Sequence, residues 1–444
     1  MKKSIKTVIA AVSAFCIAFG AMAGCGKKDK DINDEEITMS ATEATEIEST
    51  DSVSEVTSDN TEAEASEDEG VSYNIKYSGI TDRNTIYTNK DTDYCISEGK
   101  LYVVTDSNKV KLSDQENIAS FNIIKDKIYY TVIDENHKAE FWDNSYYKCS
   151  CWKMDLDGKN PTKLTESLYP SHTVYSIIYA SEDKLFISGE PTDEQLGFGD
   201  NLYKYDIKTD KQTNVTKKGD VLTSFTYVDG YIVFTGAHTD PKSMEVFCYD
   251  IKKDSVKNVN MYANDIARLN NSTVLLSRSN GINSLDEKEC SKGSGLFEYT
   301  PSTGKIKTII ENRKEEMKNE NGFIFIGSNN KDEIYFIINP NCISKYSSAG
   351  GLKKDFIKID AGKYNTDNEN SGVYSCSYNH TDNGYYVLYS VFGDSNARYL
   401  LLYPNSGNPK ELYKTEEFIG DIGKNIMLIP VSDDNDDCKA VDIP

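Results

Sequence analysis

One hairpin pattern recurs along this chain and limits the folds it can adopt more than any other feature. The clearest copy runs from Trp152 to Thr165, where an alternating strand, a turn at Asp157-Gly158 and a second strand follow one another. Weaker copies recur about every 50 residues. Each is aligned on one apolar residue before its turn: Met154, Tyr205, Tyr249, Tyr299 and Tyr403. Strand alternation repeated at this period, with four short strands per repeat, predicts an all-β fold made of β-propeller blades.

A second element precedes each hairpin, namely a nearly continuous run of aromatic and β-branched residues. The clearest runs are Lys127–Ile133, Lys184–Ser188, Tyr231–Thr235, Glu333–Ile338 and Gly384–Ser390. Such a run suits a strand that neighbouring blades bury on both faces. Because one blade cannot bury its own faces, the whole ring is the expected folding unit. A pair of irregular β-sandwiches is the alternative architecture.

The number of anchors predicts seven four-stranded antiparallel blades. Phe356–Asp360 is expected to supply the copy between Tyr299 and Tyr403, and Ala440–Ile443 resembles a final copy. No returning strand follows Ala440–Ile443, so we expect an N-terminal strand from residues 72–90 to complete the last blade and close the ring. Closure of this kind removes exposed strand edges. If residues 92–116 instead form a blade by themselves, the ring has eight.

The residues of the clearest copy also support a family resemblance. The Tyr129-Tyr130 run, the Trp152-Lys-Met-Asp-Leu-Asp-Gly158 hairpin and the closing Lys163-Leu-Thr165 resemble blades of TolB-like and YWTD-type propellers, and of an uncharacterised propeller family in bacterial surface proteins. The resemblance covers roughly residues 72–444. These motifs report blade geometry, so the resemblance implies a fold and no active-site residue.

The first 24 residues are predicted to be an export signal. Lys2, Lys3 and Lys6 form a basic start, and the apolar core Val8–Phe19 is short for a membrane span. Met22-Ala-Gly-Cys25 resembles the bacterial lipobox, which implies a diacylglycerol-type (palmitate-bearing) anchor on Cys25. The chain is then expected on the extracytoplasmic face of the cell membrane, with the lipid bilayer as a partner. An ordinary signal peptide with an incidental cysteine is the alternative.

Residues 25–71 are predicted to form a disordered acidic tether between the lipid anchor and a propeller domain at 72–444. Within residues 26–70 there are 16 acidic residues, 3 lysines and no aromatic residue. Such a segment cannot bury enough apolar surface to fold, and its like charges extend it. The net charge of the whole chain is −22, which argues against a nucleic-acid partner.

Eight cysteines remain after Cys16 and Cys25, and an even number in an exported chain permits disulfides. Cys95 and Cys438 lie in the two segments expected to meet at ring closure, so a disulfide between them is one prediction. Buried free thiols are the equally weighted alternative. Cys149 and Cys151 lack the second pair that a structural zinc site needs.

The other candidate chemical groups do not form a recognisable constellation in the sequence. The four histidines are far apart: His137, His172, His238 and His380. Ser395 in Gly393–Asn396 is expected in a turn, outside any nucleophile elbow. Asp155–Gly158 and Asp433–Asp437 contain clustered oxygen ligands suited to calcium, yet both are better explained as turns. No catalytic residue and no cofactor is predicted, and metal binding is left unassigned.

Three functions fit these features. The preferred hypothesis is a membrane-anchored extracellular binding module that recognises a protein, peptide or glycan through one face of the ring. An extracellular glycan- or peptide-processing enzyme with carboxylates near the propeller axis is the second. A scaffold or sensor component of an envelope complex is the third.

Overall fold

The protein was analysed as a computed structural model. It describes residues 81–82, 86–89, 92–105, 108–136, 146–166, 168–190, 192, 200–216, 220–238, 244–278, 294–311, 323–329, 332–338, 341–364, 372–379, 384–391, 397–416, 419–431 and 438–443. The predicted signal, the lipidated Cys25 and the tether lie outside these residues. Within the described ranges no helix is long and apolar enough to cross a bilayer. The elements are strands, apart from a 3-10 turn at Ala361–Tyr364.

The first half of the ring contains four sheets. Blade 1 is formed by β2 (Ile86–Asn89), β3 (Thr92–Ser97), β4 (Lys100–Thr105) and β5 (Asn108–Lys111). Blade 2 is formed by β1 (Thr81–Asp82), β6 (Ile118–Ile124), β7 (Lys127–Asn136), β8 (Tyr147–Asp155) and β9 (Thr162–Lys163). Blade 3 is formed by β10 (Ser176–Ala180), β11 (Lys184–Gly189), β12 (Asn201–Asp206) and β13 (Lys211–Asn214). Blade 4 is formed by β14 (Asp220–Val228), β15 (Tyr231–His238), β16 (Glu245–Asp250) and β17 (Ser255–Tyr262).

The second half of the ring also contains four sheets. Blade 5 is formed by β18 (Asp265–Arg268), β19 (Val274–Arg278), β20 (Gly295–Thr300) and β21 (Lys305–Glu311). Blade 6 is formed by β22 (Ile324–Asn329), β23 (Glu333–Ile337), β24 (Cys342–Ser347) and β25 (Gly351–Lys358). Blade 7 is formed by β26 (Gly372–Asn379), β27 (Gly384–Ser390), β28 (Arg398–Pro404) and β29 (Lys410–Thr415). Blade 8 is formed by β30 (Asp421–Ile422), β31 (Ile426–Pro430) and β32 (Cys438–Asp442).

The architecture is an all-β propeller of antiparallel blades, as the repeat predicted. The ring has eight blades, so the predicted count of seven is wrong and the alternative of eight is correct. The reason is local pairing: strands β2 to β5 are joined by short turns and pair in chain order to form a complete four-stranded blade. This first blade escaped the anchor count because its third strand ends in Val104-Thr105, with neither the aromatic residue or methionine of the counted copies nor the aspartate that follows it in several of them.

The anchors lie on the third strand of their blades, immediately before the turn to the fourth. Met154, Tyr205, Tyr249 and Tyr299 are almost fully buried. The prediction for blade 6 was wrong, because Phe356–Asp360 lies at the end of the outer strand β25 and beyond it. The anchor there is Tyr346 on β24, immediately before Ser347.

Each blade packs against its two neighbours through opposite faces of the same strands. On β23, Ile334 and Phe336 join an apolar cluster with blade 5, whereas Tyr335 and Ile337 join a cluster with blade 7. This pattern follows from the two-residue period of a strand, which sends successive side chains to opposite faces. Equivalent clusters occupy all eight interfaces, including the one between blade 8 and blade 1. The buried core is therefore a ring of interfaces between blades.

Polar side chains on the innermost strands connect neighbouring blades. Asn122 of blade 2 donates its Nδ2 to the carbonyls of Ile177 and Ile178 in blade 3, each at 3.1 Å. Ser224 of blade 4 donates its hydroxyl to Asp265 of blade 5 at 2.9 Å. Burial raises the pKa of Asp265 to about 6, although the bonds from Ser224 and from its neighbouring Ile266 amide oppose this shift.

The ring closes between blade 8 and blade 1 through two buried carboxylates. Asp421 of blade 8 accepts a hydrogen bond from the Ile86 amide of blade 1 at 2.8 Å. In return Asp93 of blade 1 accepts from the amides of Lys424 and Asn425 in blade 8, at 3.0 and 2.6 Å. A side chain at Gly423 would collide with Asp93, because a Cβ there would lie 2.7 Å from its carboxylate. We call this pair of carboxylates with their amide donors the closing clasp.

The predicted closure by an N-terminal strand is not confirmed. Among the described residues β1 is the first strand, and it pairs with β6 in blade 2 through Thr81–Phe121 and Asp82–Ser120. The outward backbone groups of β32 are bonded to blade 1 instead. The Cys438 carbonyl accepts from the Glu98 amide at 2.9 Å, and the Ala440 amide donates to Ser97 Oγ at 3.1 Å. Blade 1 thus pairs with part of the strand edge that a fourth strand would otherwise cover.

The closing clasp generates a prediction for Asp93. Replacing Asp93 with alanine leaves the buried amides of Lys424 and Asn425 without their acceptor, so we expect a loss of about 2–4 kcal/mol in the free energy of unfolding. Urea unfolding at neutral pH measures this loss. Asp114→Ala is the control, because Asp114 is an exposed partner of Lys111 and its loss should change stability by less than about 0.5 kcal/mol. Equal effects of the two variants would contradict this role of the clasp.

The buried Asp265 generates a prediction about pH. Its pKa is about 6 in the folded state and about 3.9 when unfolded, so the folded protein binds more protons between these values. Stability therefore falls as pH rises through this window, by up to about 3 kcal/mol. Asp265→Asn keeps the acceptor oxygen and should remove this fall, as urea unfolding from pH 4 to pH 8 would reveal.

Asp250→Asn is a control of opposite sign for the Asp265 experiment. The Lys253 amide donates to Asp250 at 3.0 Å and lowers the pKa of that carboxyl. The wild-type carboxylate therefore stabilises the fold above its unfolded pKa, and this contribution is lost as the pH falls through the folded value. A pH dependence that Asp265→Asn leaves unchanged would contradict the assignment of the fall to Asp265.

Candidate functional site

The two ends of the ring differ in the connections that leave them. The turns from the first to the second strand and from the third to the fourth lie at one end, which we call the turn face. The connections from the second to the third strand, and from each blade to the next, leave the opposite end, which we call the loop face. On the turn face β15 follows β14 after two residues, whereas on the loop face sixteen residues separate Arg278 from Gly295.

On the turn face, the aspartates of the repeated hairpin serve the turns themselves. Asp206 accepts from the amides of Lys208 and Thr209, at 3.0 and 2.8 Å, and these bonds lower its pKa. Asp250 does the same with the Lys253 amide. Side-chain oxygens that bond the backbone two or three residues later define this kind of turn. The recurrence of these aspartates at the same position in successive hairpins is thus explained by hairpin geometry.

The predicted calcium candidate at Asp155–Gly158 is also a turn. Asp155 is bonded to Lys127 Nζ at 2.5 Å and to Asn160 Nδ2 at 2.7 Å, and Asp157 is bonded to Lys159 Nζ at 2.6 Å. Gly158 has a φ of 82° and its missing Cβ would lie 2.2 Å from the Leu112 carbonyl oxygen, so glycine is required there. Both carboxylates therefore already have cationic partners.

Several other residues considered as metal ligands or catalytic groups lie outside the described residues. They are His137, His380, Cys290, Ser395 and residues 433–437. His172 is exposed on the loop face, where its amide donates to the Glu190 carbonyl at 2.7 Å. Within the residues that the structure describes, no group of three or more His, Cys, Asp or Glu side chains is placed to hold a metal ion.

A cluster of polar residues lies on the loop face of blade 3. Thr173 donates its hydroxyl to Asp200 Oδ1 at 2.8 Å, and the Glu190 amide donates to Ser171 Oγ and Thr173 Oγ1 at 3.1 and 3.0 Å. Burial raises the pKa of Asp200, and the charge of Glu190 raises it further, although the Thr173 bond opposes the shift. The cluster therefore places two carboxylates near each other at the rim of this face.

The sequence did not predict this cluster. Glu190 follows β11 and Asp200 precedes β12, so ten positions of chain separate them, and Ser171 and Thr173 belong to the connection from blade 2. Only the pairing of β11 with β12 brings the two acids to the same end of one blade. A composition or spacing rule had no signal to detect here.

A buried arginine lies on the loop face of blade 5. Arg278 ends β19 and is paired with Glu311 at the end of β21, while its guanidinium lies 4.9 Å from the centroid of the Phe297 ring. Only 5% of Arg278 is exposed. Gly295 makes room for this arrangement, because a Cβ there would lie 2.4 Å from the Phe297 ring. The loop face thus carries acidic groups over blade 3 and a buried ion pair over blade 5.

The two cysteines of the predicted disulfide lie in one apolar cluster at the closing interface, as the expected meeting of their segments requires. Cys95 on β3 and Cys438 on β32 share this cluster with Ile86, Ile426 and Leu428. A disulfide between Cys95 and Cys438 stays a prediction. Burial raises the pKa of Cys95 to about 12, and the nearby Lys109 opposes this only partly.

Carboxylates near the propeller axis were expected only for the enzymatic alternative. The inner strand β6 is fully buried along its length, with β1 paired to its axial edge. Asp265 and Asp421, which begin the inner strands β18 and β30, accept hydrogen bonds from the adjacent blade. These two acids therefore hold blades together.

Comparison with known proteins gives structural similarities and no family. No family model matches the chain, and no curated protein matches it. Several solved structures are similar to it, at 9–13% sequence identity.

One is dipeptidyl peptidase 4 from Porphyromonas gingivalis, with a TM-score of 0.47 and 10% identity over 77% of this chain and 53% of that one. Another is the β-propeller domain of the trilobed protease from Pyrococcus furiosus, with a TM-score of 0.43 and 13% identity over 76% of this chain and 98% of that one. A third is acylaminoacyl peptidase from Pyrococcus horikoshii, with a TM-score of 0.42 and 12% identity over 77% and 54%. The chain spans about half the length of the two peptidases.

The burial of the cysteines predicts which thiol reacts first. Cys342 is half-exposed, whereas the other six described cysteines are buried. In the folded protein Cys342 should therefore be alkylated by iodoacetamide much faster than Cys95 or Cys438, as peptide mass spectrometry can measure. Cys342→Ser is the control that identifies its signal.

The same experiment tests the predicted disulfide. Unfolding in urea without reductant should expose Cys95 and Cys438 to alkylation if they are free thiols. A peptide linked through Cys95 and Cys438, with neither residue alkylated, would instead establish the bond.

Proposed function

We propose that this chain is a membrane-anchored extracytoplasmic binding module whose loop face, over blades 3 to 5, recognises an extracellular protein, peptide or glycan. The observation that carries the proposal is the difference between the two faces. The turn face is closed by short turns whose aspartates bond their own backbone, and the loop face is bounded by the strand ends from which the longer connections leave. Binding residues are concentrated on such connections when a rigid scaffold positions them.

Rigidity of the scaffold supports the same proposal. Every interface between blades is filled by apolar and aromatic side chains, and buried polar groups such as Asn122 and Asp421 bond the neighbouring blade. A rigid surface loses little conformational entropy on binding, which favours recognition of large ligands. The Glu190–Asp200 group supplies acidic groups on the proposed surface, whereas Arg278 is buried and paired with Glu311.

The membrane anchor in this proposal rests on the lipobox-like Met22–Cys25 and the acidic segment that follows it. Two or more acyl chains hold a protein on a bilayer, since each buried methylene contributes about 0.8 kcal/mol. An extended acidic spacer would keep the propeller away from the lipid surface. The ligand is then expected on the outer side of the cell membrane.

One observation favours an enzyme as the second candidate. Asp200 has a raised pKa and lies beside a second carboxylate, Glu190. In glycoside cleavage, a carboxyl group with a raised pKa acts as the general acid and an ionised carboxylate acts as the base or nucleophile. Turnover of an extracellular glycan or peptide by the purified protein would distinguish this candidate from a binding module.

Two charge reversals in the same blade test the binding proposal. Glu190 lies on the loop face, and Glu182 lies eight residues earlier in the turn between β10 and β11, on the turn face. Full-length protein in detergent is used to capture partners from a cell-surface extract. We expect Glu190→Lys to reduce capture at least fivefold, a change of about 1 kcal/mol, and Glu182→Lys to leave it unchanged. Recovery of no partner, or equal effects of both variants, would overturn the proposal.

A further inference from the structure

The outer strands of blades 4 to 7 carry an excess of lysine that the chain as a whole does not show. Strands β17, β21, β25 and β29 contain eight lysines and three acidic residues, and no arginine. All eight lysines are exposed: Lys257, Lys305, Lys307, Lys353, Lys354, Lys358, Lys410 and Lys414. This arc is basic although the chain has a net charge of −22. We call this surface the lysine arc.

Four of these lysines occupy the same position in successive blades. Lys257, Lys307, Lys353 and Lys410 each pair across the sheet with the residue immediately before the anchor, namely Cys248, Glu298, Lys345 and Leu402. Because the strand register is the same in each blade, these four side chains leave the ring on equivalent faces. They form a row that follows the circumference of the ring.

The lysines of this row in blades 4 and 5 reach across to the next blade. Lys257 Nζ would lie 3.7 Å from a Cβ on Gly304, which belongs to the turn of blade 5. Lys307 Nζ lies 3.0 Å from the Tyr346 hydroxyl of blade 6 and 3.5 Å from Glu298 of its own blade. These two lysines of blades 4 and 5 therefore extend toward the following blade, so the cations are not isolated on separate blades.

Within the described residues, two of the eight lysines are in ion pairs: Lys307 with Glu298 of β20, and Lys358 with Asp355. Asp355 lies 3.7 Å from Lys358, and Glu311 is paired with the buried Arg278. Glu411, the third acid, follows Lys410 directly in sequence and therefore leaves the strand on the opposite face. A row of exposed cations on an otherwise acidic protein concentrates positive potential where a linear anion can follow it.

We propose that the lysine arc binds a linear phosphate-bearing polyanion along the outer edge of blades 4 to 7. Lysine is a compact point charge and a common phosphate ligand, whereas the planar fork that recognises carboxylate in two bonds belongs to arginine, which these strands lack. This surface is separate from the loop face, so the inference goes beyond the proposed function and does not depend on it. Lysines on outer strands also discourage edge-to-edge aggregation, and the experiment separates the two roles.

The test measures binding of inorganic polyphosphate to the full-length protein in detergent over a series of salt concentrations. The arc variant replaces Lys257, Lys305, Lys353 and Lys410 with glutamine, one lysine on the equivalent face of each blade. The control variant replaces four exposed lysines of blades 2 and 3 with glutamine: Lys159, Lys163, Lys208 and Lys211. Both variants remove the same charge, and neither touches Lys307 with its bonds to Tyr346 and Glu298.

We expect the wild-type protein to bind polyphosphate with an affinity that falls steeply with salt. The arc variant should bind at least about tenfold more weakly at low salt, with a salt dependence whose slope is smaller by about three. The control variant should bind as the wild type does. Heparin is included to distinguish a sulfated polysaccharide from a phosphate polymer, and it should bind more weakly than polyphosphate.

Three results would overturn the proposal. Absence of polyphosphate binding by the wild type would leave the lysines with the single role of discouraging aggregation through the outer strands. Aggregation of the arc variant would then reveal that role. Equal losses of polyphosphate affinity in the two variants would show general electrostatic attraction without a defined binding surface. Preference for heparin would replace phosphate with a polysaccharide partner. In each case capture through the loop face, tested by Glu190→Lys, can succeed or fail independently.

Discussion

The structure depends on the fact that successive residues of one strand belong to two different hydrophobic clusters. In β15, Ile232 and Phe234 pack toward blade 3, while Val233 between them packs toward blade 5. Neither face of a blade is covered until both neighbours are present, so stability accumulates only around the whole ring. The buried anchor tyrosines strengthen this coupling. Tyr249, for example, lies 5.5 Å from the Phe186 ring of the preceding blade. Aromatic pairs of this kind add to the stabilisation from buried area alone.

The closing interface uses the same apolar packing with additional polar contacts, because the last blade has three strands among the described residues. Its third strand, β32, therefore presents backbone groups that have a fourth strand as partner in other blades. Blade 1 meets part of this requirement through Ser97 and the Glu98 amide, and Asp93 accepts the amides at the start of β31. Unpaired buried backbone groups cost free energy, so these contacts decide how tightly the ring closes. The closure thus depends on a few side chains as well as on strand pairing.

Aspartate serves several structural purposes here, and the environment of each one distinguishes them. Asp206 and Asp250 cap turns, and backbone amides lower their pKa values. Asp265 lies between two inner strands, where burial raises its pKa to about 6. Asp200 is buried on the loop face beside a second carboxylate. Of these four, Asp200 has a raised pKa with a second carboxylate, Glu190, beside it on the loop face, which makes it the acid best placed for a functional role.

The sequence by itself determined the four-stranded repeat. The alternation of apolar and polar residues, the apolar second strands and the residue before each turn are local properties of the chain. The positions of Tyr205, Tyr249 and Tyr299 could be assigned without coordinates for that reason. The blade count could not be assigned in this way, since blade 1 has Val104 where most other copies have tyrosine and still pairs its four strands. Which strand edges meet is a property of the closed ring, and so the partners of β1 and β32 appeared only in the tertiary structure. The same holds for Glu190 with Asp200 and for the row from Lys257 to Lys410, because residues far apart in the chain become neighbours only when separate strands pair in register and separate blades pack together.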